Sequence, residues 1–501
     1  MATVSTRKGA QTNPVALAPA IAAGTVFAAS GAVLVLEILA VRLLAPYVGL
    51  TLETTTSIIG AVLAGIAVGA ALGGWVSDRQ DPHRLAAGLL IGGGLLALLT
   101  VPIVRALGPG ARGGGDLPAL GITLLALVPS AAVLSAVSPT MARIQLHDLH
   151  ASGTIVGRLS AWATAGALVG TFGTGFVLVP LLSVSTAVLA TGLLLVLVGL
   201  LLGWHTRALS RGATGAAVAT AAALALLAAT RDSPCDTETT YHCASVLVDA
   251  QNPNGRELML DDIHHSYVDL ANPTNLVYGY TQWIGHAVDA IYPRNRPLDA
   301  VFVGGGGFTL PRWLVATRPQ GNAHVLEVDG ELVDFDKQRL GLRTSPRLTA
   351  TVGDARMTLR DEPDASADLL VGDAFGSYAV PWHLATREWT EEIKRVLRPD
   401  GLYALNVIDM LPLDLLRAET ATLLPLFEDV QLVTIPGPDT LPGGGNAVLF
   451  ASDRKLPDDI GGAAAEGGTA YDRRALVEWA AGAQQLTDDN APVDQLLNAR
   501  A

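Results

Sequence analysis

The chain contains 501 residues, which is more than one ordinary hydrophobic core accommodates. Half of the residues (50%) are hydrophobic and only 16% are charged, a composition too apolar for a typical soluble enzyme. Residues 1–231 carry 12 Lys/Arg and 6 Asp/Glu, whereas residues 232–501 carry 21 and 40, so the chain divides into two regions of different kind. The acidity of the second region argues against nucleic acid as a partner, because such binding depends on Lys and Arg side chains that neutralise phosphates.

Residues 1–231 are predicted to form an all-α membrane domain of about seven helices, because apolar stretches of spanning length follow one another with short polar breaks. The predicted spans are 17–44, 56–76, 85–107, 117–138, 158–180, 184–204 and 213–230. One helix over the fifth and sixth would be roughly 66 Å long, twice a bilayer core, so a tight turn is expected at Pro180 and Ser183. No small-residue cleavage site follows a short first apolar stretch, so the first span is expected to be retained.

Small residues and ionisable residues inside these spans predict where helices pack and where charges need partners. Glycines at every fourth position place a small face where helices approach closely. They are Gly65, Gly69 and Gly73 in the second span, and Gly166 and Gly170 in the fifth. Glu37 and Arg42 lie in or near the first span, where burial of charge is costly. Either they reach water or headgroups, or they serve a transport or substrate role.

The distribution of basic residues predicts the topology of a multi-pass cell-membrane protein. With the N-terminus in the cytoplasm, seven spans leave eight basic residues inside and four outside, in accord with the positive-inside bias. The second region then leans towards the extracytoplasmic side. Cys235 and Cys243, the only cysteines, are expected to form a disulfide there. If the Ala-rich span 213–230 does not cross, the second region lies in the cytoplasm and the cysteines stay reduced.

The second region is predicted to alternate strands and helices. Residues 232–290 form a small β-hairpin region, with strands expected at 245–249, 257–260 and 265–270. Residues 291–501 form a doubly wound α/β domain with a parallel sheet. Its strands are expected at 300–303, 324–328, 348–352, 369–371 and 403–407, followed by an antiparallel edge hairpin of 430–435 and 447–451. A seven-stranded sheet of this kind resembles the Rossmann-like fold of class I S-adenosylmethionine-dependent transferases.

A glycine-rich loop is the strongest local signal in this domain. Gly304, Gly305 and Gly306 begin a run of four glycines directly after the strand 300–303. Glycine at a strand end lets the backbone approach a ligand closely. Glu327 ends the next strand, where a carboxylate can accept both hydroxyls of a ribose, and Asp329 is an alternative for that role.

Two further carboxylates follow at the ends of later strands. Asp354 follows the third strand, where it can accept a hydrogen bond from an adenine amine, and Asp373 follows the fourth, beside the expected nucleoside. Acids at successive strand ends therefore predict a nucleoside site, although each could instead be a helix cap.

At these residues the chain resembles the spermidine synthase (polyamine aminopropyltransferase) family, in a subgroup fused to an N-terminal multi-span membrane domain. The resemblance covers nearly the whole chain. The matching segments are 30–42 and 73–79 in the first region, and 304–307, 326–329, 352–355, 372–375, 380–388 and 487–492 in the second.

The resemblance implies the chemistry and the roles of several residues. Decarboxylated S-adenosylmethionine would be the co-substrate, with no permanently bound cofactor, and an amine such as putrescine would attack its aminopropyl carbon and release methylthioadenosine. Glu327 would hold the ribose, Asp354 and Ala355 the adenine, and Pro381 would lie near the thioadenosine. Asp373 would be the catalytic residue, as the acceptor of the ammonium proton.

Departures from the family pattern concentrate on the amine side. Gly307 stands where the family has an acid that meets the aminopropyl ammonium, and Gly376 stands where an acid grips the diamine. His242 replaces a family glutamine near the first hairpin and keeps an expected place in the donor site. Gly279 replaces a histidine.

Substitute amine-binding groups are therefore expected among the nearby acids and tyrosines. Asp261, Tyr278 and Tyr378 are the named candidates, because acids and aromatic faces both bind cations. His264 and His265 adjoin this region, but adjacent residues of a strand point to opposite faces, so no metal site is expected.

Two alternatives to aminopropyl transfer remain open. One is another transfer from an adenosyl donor, such as methyl transfer from intact S-adenosylmethionine. The other is a membrane protein without catalysis that binds or transports a nucleoside or polyamine. The expected partners are a small diamine or polyamine and the lipid bilayer, with a homo-oligomer also possible.

Overall fold

The computed structural model describes residues 17–48, 52–111, 116–146, 152–375, 380–437 and 442–497. They form two compact units: the first holds the residues up to Leu44 together with Thr54–Ser233, and the second holds Ala45–Glu53 together with the residues from Pro234 onwards. The first unit is helical, and the second contains two β-sheets with helices.

Apolar helices make up the first unit. They are α1 (Pro19–Val48), α2 (Leu52–Ser77), α3 (Pro82–Leu107), α4 (Asp116–Ala126), α5 (Val128–Ser135), α6 (Val137–Gln145), α7 (Ser152–Gly173), α8 (Val179–Leu181), α9 (Val184–His205) and α10 (Arg211–Thr230). Six helical stretches of this unit are long and apolar enough to cross a bilayer, and a pair bent by 43° would make a seventh. Each of the seven predicted spans corresponds to one of these candidates.

The fourth predicted span, 117–138, differs most from the structure. It is three helices, α4 to α6, and it extends to Gln145. Pro129 lies in the first turn of α5, where its missing N–H is tolerated. Pro139 cannot donate to the carbonyl of Ser135, so the helix is interrupted between α5 and α6.

The turn between the fifth and sixth predicted spans is confirmed. A π-helical segment, Thr174–Leu178, joins α7 to α8, and α8 ends at Leu181. Ser183 then caps α9 by accepting a hydrogen bond from the N–H of Thr186 (3.3 Å).

Glycines lie where helices of the first unit approach most closely, as expected. A Cβ atom on Gly166 would lie 2.2 Å from the carbonyl oxygen of Phe27, and one on Gly170 would lie 2.4 Å from that of Gly31. On another helix pair, a Cβ on Gly69 would lie 2.0 Å from the carbonyl oxygen of Ala132. Any larger residue at these positions would separate the helices.

The second unit begins with a four-stranded antiparallel sheet in the order β1-β2-β3-β4. Its strands are β1 (Thr237–Glu238), β2 (Cys243–Val248), β3 (Gly255–Leu260) and β4 (Ile263–Asp269). The three predicted strands are present, and β1 is an additional short one. Cys235 and Cys243 form the expected disulfide, with their Cα atoms 5.1 Å apart.

The larger sheet has eight strands in the order β12-β10-β11-β9-β8-β5-β6-β7. They are β5 (Asp299–Val303), β6 (Asn322–Glu327), β7 (Leu348–Val352), β8 (Ala367–Gly372), β9 (Leu397–Asp409), β10 (Asp429–Pro436), β11 (Pro442–Ser452) and β12 (Thr469–Tyr471). The five strands from β9 to β7 are parallel, as predicted. Seven strands with the hairpin at the edge were expected. Instead, β11 pairs with both β9 and β10, and β12 covers the outer side of β10.

Helices cover both faces of this sheet. They are α11 (Gly279–Ile291), α12 (Thr309–Thr317), α13 (Gly330–Arg339), α14 (Ala355–Thr358), α15 (Arg387–Val396), α16 (Asp414–Leu423), α17 (Arg473–Trp479) and α18 (Val493–Leu496). Trp283 of α11 and Trp313 of α12 are buried in one core, and Trp389 and Ile393 of α15 are buried in another. The paired registers of β5, β6 and β8 bring their carboxyl ends to one edge, where the candidate site lies.

Candidate active site

The glycine-rich loop at the end of β5 adopts a conformation that requires glycine. Gly304 and Gly306 have φ values of +93° and +46°, in the region that favours residues without a Cβ. A Cβ on Gly304 would also lie 2.4 Å from the carbonyl oxygen of Asp373. The N–H of Gly307 donates to Ser266 Oγ (3.0 Å), which joins the loop to β4.

Glu327 ends β6 with its carboxylate fixed by two backbone donors. The N–H of Gly305 donates to Oε2 (2.6 Å), and the N–H of Asp329 donates to Oε1 (2.9 Å). Burial raises the pKa of Glu327 more than these two hydrogen bonds lower it. Each carboxylate oxygen retains a lone pair with which to accept a ligand hydroxyl.

Asp329, the alternative ribose acceptor, has a structural role instead. Its Oδ1 accepts from the N–H groups of Glu331 and Leu332 and so caps α13. Its Oδ2 accepts from the hydroxyl of Thr239. The side chain is fully buried and committed to these partners, so it is not a second acceptor in the pocket.

Asp354 and Ala355 lie at the end of β7. Oδ1 of Asp354 accepts from the N–H of Arg356 (2.8 Å) and caps α14, while its role at the adenine stays a prediction. Its other oxygen lies 3.3 Å from Nε2 of His383 and remains partly exposed. Ala355 is buried directly beside it.

These residues line one pocket of about 480 Å³, which we call the glycine-loop pocket. Among the residues expected to bind the donor, its lining contains Gly304, Gly306, Glu327, Asp354, Ala355, Pro381 and His242. Gly305 is absent from the lining, because its N–H turns towards Glu327.

His242 enters the glycine-loop pocket through a pair with Asp261. Its Nδ1 lies 3.0 Å from Asp261 Oδ2. Burial lowers the pKa of His242, but the hydrogen bond to Asp261 and the nearby carboxylates outweigh burial and leave that pKa raised. Asp261 also accepts from the N–H of Cys243 (3.1 Å). Asp261 was expected to bind the amine, yet it lines neither pocket of the site, since its carboxylate is occupied by these two partners.

Asp373 follows β8 and is held by two side chains. The hydroxyl of Tyr280 donates to Oδ2 (3.0 Å), and Asn406 Nδ2 donates to Oδ1 (2.9 Å). Asn446 Nδ2 in turn donates to Asn406 Oδ1 (3.1 Å). Burial raises the pKa of Asp373 to about 6, against the opposing effect of the two hydrogen bonds.

A second pocket of about 220 Å³ shares Asp373 with the first, and we call it the tyrosine pocket after Tyr278 and Tyr280. Asp373, His265 and Phe375 line both pockets. The remaining walls of the tyrosine pocket come from Ile263, His264, Asn406, Ile408 and Asn446. Of the expected amine-binding groups, Tyr278 is present here, and Tyr378 lies outside the described residues.

Sequence reasoning missed Tyr280, Asn406 and His265. Asn406 gave a signal, because it is a polar residue inside the apolar run of β9, next to the strand that carries Asp373. Tyr280 and His265 gave none, since tertiary packing alone brings α11 and β4 to the end of β8.

Comparison with known proteins gives similar sequences for part of the chain. The chain is 25% identical over 165 residues to a polyamine aminopropyltransferase of Vibrio vulnificus, covering 32% of this chain and 53% of that protein. It is 26% identical over 167 residues to a polyamine aminopropyltransferase of Pyrobaculum aerophilum, covering 31% and 54%. An eEF1A lysine and N-terminal methyltransferase of Danio rerio is 26% identical over 130 residues, covering 24% and 19%. The chain thus spans about half the length of the aminopropyltransferases it matches.

Solved structures are also similar to the second region. A probable spermidine synthase from Corynebacterium glutamicum has a TM-score of 0.47 at 26% identity, covering 51% of this chain and 96% of that one. No family model matches the chain. The sheet order, the glycine loop and the strand-end acids define a Rossmann-like transferase domain. The aminopropyltransferase matches make the chain similar to the spermidine synthase family.

Proposed function

We propose that the second unit transfers an aminopropyl group from decarboxylated S-adenosylmethionine to an amine. The observation that carries the proposal is the position of Asp373, whose buried carboxylate forms a wall of both the glycine-loop pocket and the tyrosine pocket. The amine nitrogen forms a bond to the aminopropyl carbon, the carbon–sulfur bond breaks, and methylthioadenosine leaves with the electron pair.

The glycine-loop pocket would hold the donor. Glu327 accepts from the ribose hydroxyls with an orientation already fixed by backbone N–H groups. Asp354 and Ala355 lie at the adenine, and Pro381 lies at the thioadenosine. Gly304 allows the ligand to approach the backbone, and His242 completes the wall near Glu327. The donor is a co-substrate, so the proposal includes no permanently bound cofactor.

The tyrosine pocket would hold the acceptor amine, with Asp373 as the base. An ammonium has no lone pair with which to attack, so a carboxylate must remove its proton. A pKa of about 6 leaves Asp373 mostly ionised at neutral pH and still basic enough to accept that proton. Tyr280 and Asn406 keep the carboxylate oriented.

Turnover by the purified full-length protein tests this proposal. Decarboxylated S-adenosylmethionine and a panel of amines should yield methylthioadenosine and the aminopropylated amine, both detected by mass spectrometry. A protein that binds methylthioadenosine but forms no product with any amine would overturn the catalytic proposal and favour a binding function.

Methyl transfer from intact S-adenosylmethionine is the second candidate. It is supported by the similarity to a methyltransferase and by Gly307, which leaves the glycine loop without the family's acid for the aminopropyl ammonium. The same assay with intact S-adenosylmethionine decides between them, because methyl transfer releases S-adenosylhomocysteine instead of methylthioadenosine.

We also propose that the first unit crosses a cell membrane several times and that the second unit lies outside the cytoplasm. The candidate spans support the first part, and the disulfide supports the second, since disulfides persist in oxidising compartments. Two reporters can be fused after Asp232, one active only outside the cytoplasm and one active only inside it. The first should be active and the second inactive. Activity confined to the cytoplasm, with both cysteines labelled there, would refute this placement.

A further inference from the structure

The charges around the tyrosine pocket differ at its two ends. At the end that adjoins the glycine-loop pocket, Asp373 presents a carboxylate, and it is the sole carboxylate among the described residues that line the tyrosine pocket. Its two hydrogen-bond donors, Tyr280 and Asn406, leave lone pairs for one ammonium group.

Apart from Asp373, the described wall of the pocket consists of neutral polar groups and apolar side chains. Burial lowers the pKa of His265 to about 4, so this imidazole is neutral and can hydrogen-bond to an uncharged ligand group. Asn446 supplies an amide, and Ile263 and Ile408 supply apolar surface.

Glu257 contacts two residues of the pocket wall, but its carboxylate is already engaged. Its Oε1 accepts from the hydroxyl of Tyr278 (2.7 Å) and lies 2.7 Å from Nδ1 of His264. Tyr278 and His264 line the pocket, whereas Glu257 does not. The two side chains therefore separate its carboxylate from the pocket interior.

We propose that the acceptor is an amine with one ammonium group and an uncharged distal end, such as an amino alcohol, rather than a diamine. The ammonium faces Asp373, and the distal end lies among Asn446 and the isoleucines. Among the described residues that line the pocket, a second ammonium would find no carboxylate partner to compensate its lost hydration, which is unfavourable. This inference rests on the proposed assignment of the tyrosine pocket to the acceptor.

Putrescine and 4-amino-1-butanol form a matched pair of probes, because they have the same chain length and differ only in the distal ammonium or hydroxyl. We expect kcat/KM for the amino alcohol to exceed that for putrescine at least tenfold. Calorimetry on the full-length protein saturated with methylthioadenosine should give the same order of affinities without any need for turnover.

A new carboxylate at the distal wall should reverse this preference. Ile408→Asp should favour putrescine over the amino alcohol, whereas Ile408→Asn, which has a similar shape and no charge, should retain the parent's order. The affinity for methylthioadenosine, measured for the parent, Ile408→Asn and Ile408→Asp, shows whether each protein remains folded.

The outcomes separate this inference from the proposed reaction. Tighter binding of the amino alcohol without turnover would support the acceptor class and refute aminopropyl transfer. Equal or tighter binding of putrescine, or failure of the parent to bind either amine beside methylthioadenosine, would refute the inference whatever the turnover.

Discussion

The glycine-loop pocket and the tyrosine pocket share Asp373 but are built in different ways. In the first, backbone N–H groups and positive φ angles fix the positions of Gly304 and Glu327. In the second, side chains from four different elements meet, β4, α11, β9 and β11. The first pocket can therefore change little without loss of fold, whereas substitutions in the second can change which ligand binds.

Removing the base should have the largest effect. Asp373→Asn keeps the shape of the carboxylate but cannot accept a proton, so the transfer rate should fall about a hundredfold or more. The affinity for methylthioadenosine should change little, because asparagine keeps the shape of the wall that Asp373 forms in the glycine-loop pocket. Pre-steady-state rates and calorimetry measure the two quantities. Unimpaired transfer would show that another group is the base.

Glu327→Ala should weaken ligand binding in the glycine-loop pocket alone. The loss of a charge-assisted pair of hydrogen bonds to the ribose should reduce methylthioadenosine binding by about 2 kcal/mol or more. Asp334→Ala is the control, because Asp334 lies on α13 and pairs only at the surface, with Lys337. Equal affinities in the two variants would contradict the ribose assignment.

Opening the disulfide should have a smaller effect on the same pocket. Cys235 and Cys243 close a short loop whose Thr239 bonds to Asp329 and whose His242 lines the pocket. The double Cys→Ser variant should lose about 2 kcal/mol in free energy of unfolding. Its methylthioadenosine affinity should fall less than in Glu327→Ala.

Reduction of the parent protein with dithiothreitol provides the matched control for that variant. The reduced parent and the double variant should agree in stability and affinity. If neither differs from the oxidised parent, the loop does not shape the pocket.

Tyr280→Phe should produce the smallest effect, confined to the pH profile. The Tyr280 hydroxyl donates to the ionised carboxylate of Asp373 and so lowers the pKa of Asp373. Its removal should raise that pKa and move the acid limb of kcat, expected near pH 6 in the parent, to higher pH. Rates near pH 6 should therefore fall severalfold, and rates near pH 8 should change little. If the acid limb of kcat does not move, the ionisation that it reports is not that of Asp373.

The glycine-loop pocket was more predictable from sequence than the tyrosine pocket, and the reason is topological. Glu327, Asp354 and Asp373 follow parallel strands whose carboxyl ends meet at one edge, so local patterns were sufficient to find them. Tyr280 and Asn446 lie on elements whose positions depend on the tertiary arrangement of α11 and on the strand order of β11.

The same limits apply to the elements themselves. The strand β12 has three residues and too little pattern to identify. The break in the span 117–138 was visible in principle, because Pro129 and Pro139 interrupt it, but its length and hydropathy favoured one helix.

The wall of Asp373, His265 and Phe375 that the two pockets share has a kinetic consequence. If the donor and the acceptor occupy these two pockets, both must be bound at the same time for the amine to reach the carbon attached to the sulfonium. Initial-velocity lines at varied concentrations of both should then intersect, as in a sequential mechanism, and ping-pong behaviour is not expected. A single displacement also inverts the configuration of the attacked carbon, which a chirally deuterated aminopropyl group would record in the product.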